Sequence, residues 1–395
     1  MMLKRPAALL TAAVMMSTPI CASALDTKQA EGYARGIVTF EKNKNGIPEG
    51  DSLLSGRIAE DAGYDSSDWL AIGAVRSGLE TDTGEYFTAW KKRIEDEYSD
   101  DAAIDRLNAT DWHRAVLTGI CLGIDPTDVS EIDLLGRGTY LRGEGRPLDE
   151  QGVNGEIWAL IAMDSCDWKL PEDAFPDREE IIYSIIDTRN SDGGFSLTAG
   201  DGRSDLDITA MALQALAPYR CCEETENSVN MAVELLAERY GDADNCETAA
   251  QIICALCCLD IDPDEDSRFA GLTDELISYA NDDGGFAHQK GGESSELASS
   301  QALIALCSIQ RLRSGERPVY DMNEGSPEKP VKTTLKEMTS AKNRNTSPHA
   351  LKNSPDGSAN GKNTQLAVSA AIIALFAAGA IGGVIMRRRK EKENE

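Results

Sequence analysis

Two segments of this 395-residue chain repeat one pattern. Residues 191–219 read SDGGFSLTAGDGRSDLDITAMALQALAPY, and residues 281–309 read NDDGGFAHQKGGESSELASSQALIALCSI. Each has an acidic turn, a Gly-Gly-Phe corner, a polar loop and an alanine- and leucine-rich stretch that is typical of a buried helix. Glycine accepts the positive φ that ends a helix, and the phenylalanine after it can plug the space between neighbouring helices. The chain is therefore expected to use one helical unit more than once.

The same alignment extends through most of the chain. It places six helix starts 40–53 residues apart, at Asp68, Asp111, Asn154, Asp207, Glu247 and Leu297. Asp and Asn are favoured N-caps, and the residues after each start are small and apolar on most sides, which predicts buried inner helices. More amphipathic segments precede them and predict outer helices near 27–42, 84–99, 126–136, 177–189, 227–240 and 267–281.

A two-helix unit with this period is the signature of a helical-hairpin repeat, which can form an open solenoid or a closed ring. Six hairpins and the repeated DGGF corners favour closure. The predicted fold is all-α, an α6/α6 toroid formed by residues 25–325. The mouth of this ring, where the inner helices begin, is the expected functional surface.

Both ends of the chain carry targeting patterns. Residues 1–24 have a basic start, an apolar run and an A-x-A cleavage site, which predicts a signal peptide. Residues 366–386 are uncharged and long enough for one transmembrane helix, and the basic residues that open the 387–395 tail predict that this tail is cytoplasmic. Residues 326–365 are polar and poor in large apolar groups, which predicts a disordered linker. The toroid would then be extracellular, on a single-pass protein of the cell membrane.

The charge of the chain bears on its partners. The formal net charge is −28 and the pI is near 4.5. A nucleic-acid-binding protein normally displays a basic face, so nucleic acid is excluded as the expected partner. The expected partner is a small molecule or a component of the cell surface.

Four motifs carry a resemblance to a known superfamily. They are DWLAIGAVRSGL (68–79), NATDWHRAVLTGICLGIDPTDV (108–129), GVNGEIWALIAMDS (152–165) and DGGF followed by DITAMALQAL. Together they resemble the terpenoid cyclases and protein prenyltransferases, whose fold is an α6/α6 toroid. More narrowly, residues 28–312 resemble the prenyltransferase-like domain of surface proteins from Gram-positive anaerobes. That domain is related in fold to squalene-hopene cyclase and to the cobalamin carrier transcobalamin.

The resemblance implies one catalytic hypothesis. Residues 205–210 (DLDITA) look like the D-x-D-D-T-A motif of hopene-forming cyclases, in which a protonated carboxylic acid starts polyene cyclisation. Asp207 would be the proton donor and Asp205 its first neighbour, while Ile208 stands in place of the third acid. The alternative, which the register with Asp68, Asp111 and Asn154 favours, is that Asp207 is an N-cap.

The residues that could bind metal are sparse. Prenyltransferases bind zinc through Asp, Cys and His, but the three histidines here lie at no ligand spacing with cysteine, so no metal site is predicted. Nine cysteines remain after the predicted signal peptide, and Cys121, Cys257 and Cys307 share one repeat position that favours a small core residue. A disulfide between Cys221 or Cys222 and Cys246 is the alternative for those residues.

The favoured function is binding without catalysis. Tryptophans recur near the first three inner-helix starts, so the ligand-binding candidates are Asp68, Trp69, Asp111, Trp112, Asn154, Trp158 and Asp207. The tryptophans are equally expected as core wedges. The carrier relationship implies cobalamin as a ligand, but no second, β domain follows the toroid as in those carriers. The alternatives are a terpenoid cyclase or prenyltransferase-type enzyme that uses Asp207, and a structural module of a surface assembly.

Overall fold

The computed structural model describes residues 25–143, 145–198, 200, 202–323, 325–327 and 331–343. These residues form fifteen α-helices: α1 (Thr27–Asn45), α2 (Gly56–Glu60), α3 (Asp65–Arg76), α4 (Gly84–Glu97), α5 (Ala103–Arg106), α6 (Ala109–Cys121), α7 (Leu134–Gly138), α8 (Val153–Asp164), α9 (Arg178–Asp187), α10 (Leu206–Leu216), α11 (Glu226–Arg239), α12 (Cys246–Cys258), α13 (Leu272–Ile277), α14 (Glu296–Arg313) and α15 (Leu335–Lys342). Two short strands, β1 (Phe286–Ala287) and β2 (Ser294–Ser295), pair antiparallel. The predicted helical fold class is confirmed.

Six helices form an inner layer, and each packs against the next: α3, α6, α8, α10, α12 and α14. The last of them, α14, packs in turn against α3, so the layer closes into a ring. Gly73 allows this closure because a Cβ atom there would lie only 3.0 Å from Cγ of Leu303 on α14. Apolar residues lie on most sides of the inner helices, as predicted, and α12 buries every residue from Cys246 to Cys258.

The outer layer is less regular than the inner one. α1 packs on α14, α9 on α8, α11 on α10 and α13 on α12. Trp90 of α4 is fully buried, and a Cβ atom on Gly119 of α6 would lie 3.0 Å from its ring. The predicted outer helices over 126–136 and 267–281 are wrong in extent, because only Leu134–Gly138 and Leu272–Ile277 are α-helical. Ser130 and Glu131 have φ of 52° and 70°, and Gly271 has a φ of 95°, so the backbone leaves the right-handed helical region inside both predicted ranges.

The repeated DGGF corners join the two layers. Gly193 has a φ of 101° and Gly284 a φ of 89°, the left-handed conformation that favours glycine. The phenylalanine after each Gly-Gly pair is fully buried. The backbone N–H of Phe195 donates to the hydroxyl of Thr209, and that of Phe286 donates to the hydroxyl of Ser299, both over 2.9 Å. Each corner is thereby bound to the inner helix that follows it.

The inner helices begin one to three residues earlier than the sequence predicted. Asp205, not Asp207, is the N-cap of α10, and its Oδ1 accepts a hydrogen bond of 3.0 Å from the backbone N–H of Ile208. The caps of α3, α6 and α8 are Tyr64, Asn108 and Gly152. The N-cap interpretation of Asp207 is therefore wrong, because a cap residue has extended backbone outside the helix whereas Asp207 is the second helical residue.

A segment after α14 covers the end of the ring where the inner helices finish. Arg76, at the end of α3, donates hydrogen bonds of 2.9–3.1 Å to three carbonyl oxygens of residues 315–323. On the other side of the ring, the backbone N–H of Met322 donates to the carbonyl of Ser165 just after α8. This segment directs Tyr320, which is 5% exposed, into the ring.

Part of the predicted linker is helical. Residues 335–342 form α15, which starts with a capping box between Thr334 and Glu337 and fully buries Leu335. Lys342 lies 3.8 Å from a carboxylate oxygen of Asp164, next to the buried Arg178. The prediction of disorder from residue 326 is corrected for this part, because an average over a polar stretch hides a single apolar anchor and a capped turn.

Several sequence predictions fall outside the described residues. They are the signal peptide (1–24), the linker beyond 343, the transmembrane helix (366–386) and the tail (387–395). Across the described ranges, none of the helices combines the length and apolar character that a bilayer span needs. The nine cysteines in these ranges are free thiols, so the alternative pairing of Cys221 or Cys222 with Cys246 is not formed.

Candidate functional site

The amino ends of the inner helices meet on one side of the ring, which we call the mouth. Asp207 in the first turn of α10 lies close enough to Thr248 in the first turn of α12 for the Thr248 side chain to lower the pKa of Asp207. The thiol of Cys246 donates to the carbonyl of Ala298 at the start of α14, over 3.7 Å. The mouth therefore consists of the first turns of α3, α6, α8, α10, α12 and α14, and the segment that carries Tyr320 closes the opposite end.

Two predicted ligand residues, Asp68 and Asp111, belong to a buried ion cluster between α3 and α6. Arg114 is 7% exposed, and its nitrogens lie 3.2–3.4 Å from carboxylate oxygens of Asp65, Asp68 and Asp111. Asp68 is fully buried and also accepts a 2.8 Å hydrogen bond from Tyr86. Burial raises the pKa of Asp68, while Arg114 and the Tyr86 hydroxyl oppose the rise. Arg114 occupies these carboxylates, and the ion pairs join α3 to α6. Asp68 and Asp111 are therefore structural residues.

Asn154 and Asp207 differ from Asp68 and Asp111 because each has a side-chain oxygen that no other group occupies in the described ranges. Each is the second residue of its inner helix, α8 or α10, and these two helices are neighbours in the ring. The Oδ1 atom of each is buried, and within the described part of the chain neither atom has a hydrogen-bond donor. A buried acceptor without a donor is costly, so such atoms in native proteins usually face a water, an ion or a ligand.

The surroundings of Asp207 perturb its ionisation. Burial, followed by the negative charge of Asp205, raises the pKa of Asp207 to about 7, while a hydrogen bond to Thr248 opposes the rise. The charges of Glu247 and Asp244 raise it further. Asp207 therefore changes its protonation state near neutral pH, and titrating groups of this kind concentrate at functional sites. Asp205 acts mainly as the cap of α10.

Glu247 and His288 extend this site onto α12. His288 Nδ1 lies 2.8 Å from Oε2 of Glu247, and the His288 carbonyl accepts a 3.0 Å hydrogen bond from the backbone N–H of Cys246. The His288 side chain is 59% exposed, so it lies at the rim of the mouth. Glu247 could have been selected from its register 40 residues after Asp207, whereas no pattern in the sequence pointed to His288.

Trp69 and Trp158 come together inside the ring. Their ring centroids are 5.1 Å apart, although α3 and α8 are not neighbours and both flank α6. Tyr320 packs against both, at 6.0 Å from Trp69 and 5.6 Å from Trp158. All three side chains are at most 7% exposed. This aromatic cluster closes the interior below the mouth, and Tyr320 was not singled out from the sequence.

Trp112 does not join the aromatic cluster. It is fully buried, packs edge-on against Tyr98 at 4.7 Å, and lies beneath the guanidinium of Arg137 at 5.2 Å. A Cβ atom on Gly138 of α7 would lie 2.8 Å from Cβ of Trp112. Trp112 is thus a wedge between the inner and outer layers.

The interior wall formed by α10, α12 and α14 is polar. Gln214 Nε2 donates to Gln251 Oε1, and Gln251 Nε2 donates to Gln301 Oε1, both over 2.8 Å. All three glutamines are buried, and Gln214 Oε1 has no donor within the described ranges. The interior below the mouth therefore offers amide groups on one side and aromatic rings on the other.

Within the described ranges, no group of three or more His, Cys, Asp or Glu side chains is arranged to hold a metal ion. His113 is fully buried, and its Nε2 lies 2.8 Å from the carbonyl oxygen of Gly138.

Comparisons with known proteins give one structural similarity. No protein-family model and no curated protein matches this chain. Among solved structures, the chain is similar to Candida albicans protein geranylgeranyltransferase-I complexed with GGPP, with 13% sequence identity and a TM-score of 0.48. The alignment covers 78% of this chain and 98% of that one.

Proposed function

We propose that this protein binds a small amine, as its ammonium ion, at the mouth of an α6/α6 toroid. The observation that carries the proposal is the pair of buried acceptors without donors, Asn154 Oδ1 and Asp207 Oδ1, at the same position of adjacent helices. An ammonium group supplies several N–H donors and a positive charge. Both match an amide oxygen and a carboxylate at equivalent positions of neighbouring helices.

The charge around the two acceptors favours a cation. Asp205, Asp244 and Glu247 all act on Asp207 with negative charge, and the whole chain carries −28. Such a field attracts cations and raises their association rate. Gln214 Oε1, at one end of the row of buried glutamines, has no donor within the described ranges and would offer a further acceptor to a ligand with more than one amine.

The proposal is tested by calorimetric titration of the full chain with spermidine at pH 8 and at pH 6. Because Asp207 has a pKa of about 7, its ionised fraction falls roughly tenfold between these pH values, and affinity is expected to fall by a similar factor. Asp207→Asn and Asn154→Ala are expected to weaken binding at pH 8. Asp274→Asn, which removes an exposed acid from the outer helix α13, is the matched control.

His288 also faces the mouth, through Glu247, and its contribution is separated by His288→Gln. A pH dependence that persists in His288→Gln and disappears in Asp207→Asn supports the proposal. Spermidine binding that is absent, or equal in the wild type, Asp207→Asn and Asn154→Ala, contradicts it.

The second candidate function is acid catalysis by Asp207, which the pKa of about 7 favours. A carboxyl that holds its proton near neutral pH can donate it to a bound substrate. The row of buried glutamines fits a hydrocarbon polyene poorly, so we propose a polar substrate for this candidate. Turnover that is abolished by Asp207→Asn, with amine binding retained, would favour catalysis over binding.

The cellular setting proposed here rests on the sequence alone. A signal peptide at 1–24 and an anchor at 366–386 would display the ring outside the cell membrane, in the manner of Gram-positive surface proteins. Protease treatment of intact cells tests this, because an exposed ring is digested and a protein inside the cell is protected. Cobalamin, or a larger surface assembly that uses the ring as a spacer, is tested by the same titration with cobalamin and by pull-down from the cell envelope.

A further inference from the structure

Arg142, which follows α7, has a buried guanidinium group in which only Nε has a hydrogen-bond partner within the described ranges. The residue is 7% exposed, and its Nε donates a 3.0 Å hydrogen bond to the carbonyl of Arg146. Nη1 and Nη2 are also buried, and neither has a hydrogen-bond partner in the described ranges. Four N–H donors of one fixed cation are therefore left without an acceptor.

The charged residues near Arg142 do not supply acceptors for its Nη1 and Nη2 atoms. Arg146 is a second cation, and its own Nε is bound to Glu150 at 2.6 Å. Burial, followed by the charge of Arg146, lowers the pKa of Arg142, while Glu150, Asp105 and Asp111 act in the opposite direction. None of these three acids bonds to Nη1 or Nη2, because both atoms lack a partner.

A second unpartnered atom lies nearby, on the outward side of α6. His113 is fully buried, and its Nε2–H donates to the carbonyl of Gly138, which assigns the free lone pair to Nδ1. This Nδ1 is buried without a donor among the described residues. Burial lowers the pKa of His113 to about 3, so the ring is neutral, and the positive charge of Arg142 contributes to that lowering.

An arginine cannot relieve its burial by losing a proton, so a buried guanidinium normally has an anionic partner. The two Nη groups form a planar fork that fits two oxygens of one carboxylate or phosphate. We propose that Arg142, with Arg146 beside it, binds a small oxyanion at a site between α6 and α7. Hydrogen phosphate is the expected anion, because its hydroxyl can also donate to the lone pair of His113.

This site is separate from the amine site of the proposed function. His113 and Trp112 pack against Gly138 of α7, on the outer face of α6. Asn154 and Asp207 lie in the first turns of α8 and α10. The two sites therefore differ in position and in the charge of the ligand they select.

The experiment measures the thermal unfolding midpoint of the full chain with increasing inorganic phosphate, and with acetate in a parallel series. Arg142→Gln removes the charge and the fork, and Arg142→Lys keeps the charge but not the fork. Arg203→Gln is the matched control, because Arg203 is a 74% exposed arginine paired with Asp242. The general stabilising effect of phosphate on proteins acts on all variants, so the difference between variants is the readout.

Phosphate is expected to raise the midpoint of the wild type and of Arg203→Gln more than that of Arg142→Gln or Arg142→Lys. A specific rise with acetate instead assigns the same site to a carboxylate. Equal rises in the wild type and Arg142→Gln for both anions overturn the proposal. Arg142→Gln is expected to leave spermidine binding unchanged, and Asp207→Asn to leave the phosphate effect unchanged, so each proposal fails independently.

Discussion

Replacing Asp207 by asparagine is expected to stabilise the protein at high pH and to do little at low pH. The folded state raises the pKa of Asp207 from 3.8 to about 7. Below pH 3.8 the carboxyl is neutral in both folded and unfolded chains, so burial carries no ionic cost. As the pH rises to about 7, the unfolded chain ionises first, and the stability of the wild type falls.

The size of the effect follows from the shift. One pKa unit corresponds to about 1.4 kcal/mol, so a shift from 3.8 to about 7 sets an upper bound of about 4 kcal/mol on the cost above pH 7. The residue keeps part of its surface in solvent, and we expect about half of that bound. Asp207→Asn should raise the unfolding free energy by about 2 kcal/mol at pH 8 and by less than about 1 kcal/mol at pH 4.5.

The assay is urea unfolding of the full chain, followed by far-ultraviolet circular dichroism at several pH values between 4.5 and 8. The control is Asp274→Asn, which removes the same charge from an exposed position. A stability difference between the wild type and Asp207→Asn that does not change with pH would refute the assignment of a buried, titrating carboxyl to the mouth.

Three further substitutions test the packing. Tyr320→Ala removes a ring from the centre of the aromatic cluster and should lower the free energy of unfolding in urea by about 3–5 kcal/mol. The cavity left behind should bind indole. An unchanged unfolding midpoint would contradict the buried position of Tyr320. Gly284→Ala should lower the free energy of unfolding by more than about 1 kcal/mol, because φ is 89° and the new Cβ would lie 2.5 Å from the carbonyl oxygen of Gly36. Gly291→Ala is the control: the space around it is open, so it should show only the cost of the backbone conformation. Leu335→Asp should release α15, seen as faster amide hydrogen exchange over residues 335–342 and unchanged exchange in α12; equal protection in the variant would contradict docking of α15 through Leu335.

The six inner helices could be predicted from the sequence because each is marked by a short apolar segment that recurs along the chain. Thr209 and Ser299 hold equivalent positions in the two repeated segments, and the hydroxyl oxygen of each accepts a hydrogen bond from the backbone N–H of a DGGF corner. Apolar residues on most sides of the inner segments marked burial correctly. The helix starts were displaced because Asp is favoured both as a cap and in the first turn, and spacing alone does not separate these positions.

The rest of the site depends on contacts between distant parts of the chain. Arg114 on α6 forms an ion pair with Asp68 on α3, and no spacing rule predicts this contact between two helices. Tyr320 reaches the tryptophans because a segment after the last helix turns back into the ring. Asn154 and Asp207 were chosen from register, but only the structure distinguishes their free oxygens from the occupied carboxylates at Asp68 and Asp111.

The central claim is that the first and last repeats meet and close the ring. Lys44 near the end of α1 and Glu296 at the start of α14 are 252 positions apart in sequence, yet their charged atoms lie 3.4 Å apart and both side chains are partly exposed. A water-soluble carbodiimide joins such a pair directly as an amide, and mass spectrometry of the digested protein identifies the product. Lys290 and Glu275, at 2.7 Å within the last repeat, are the internal control, because they would couple in an open or a closed chain. The closed ring predicts both cross-links in the monomer, and detection of the Lys290–Glu275 link without the Lys44–Glu296 link would contradict it.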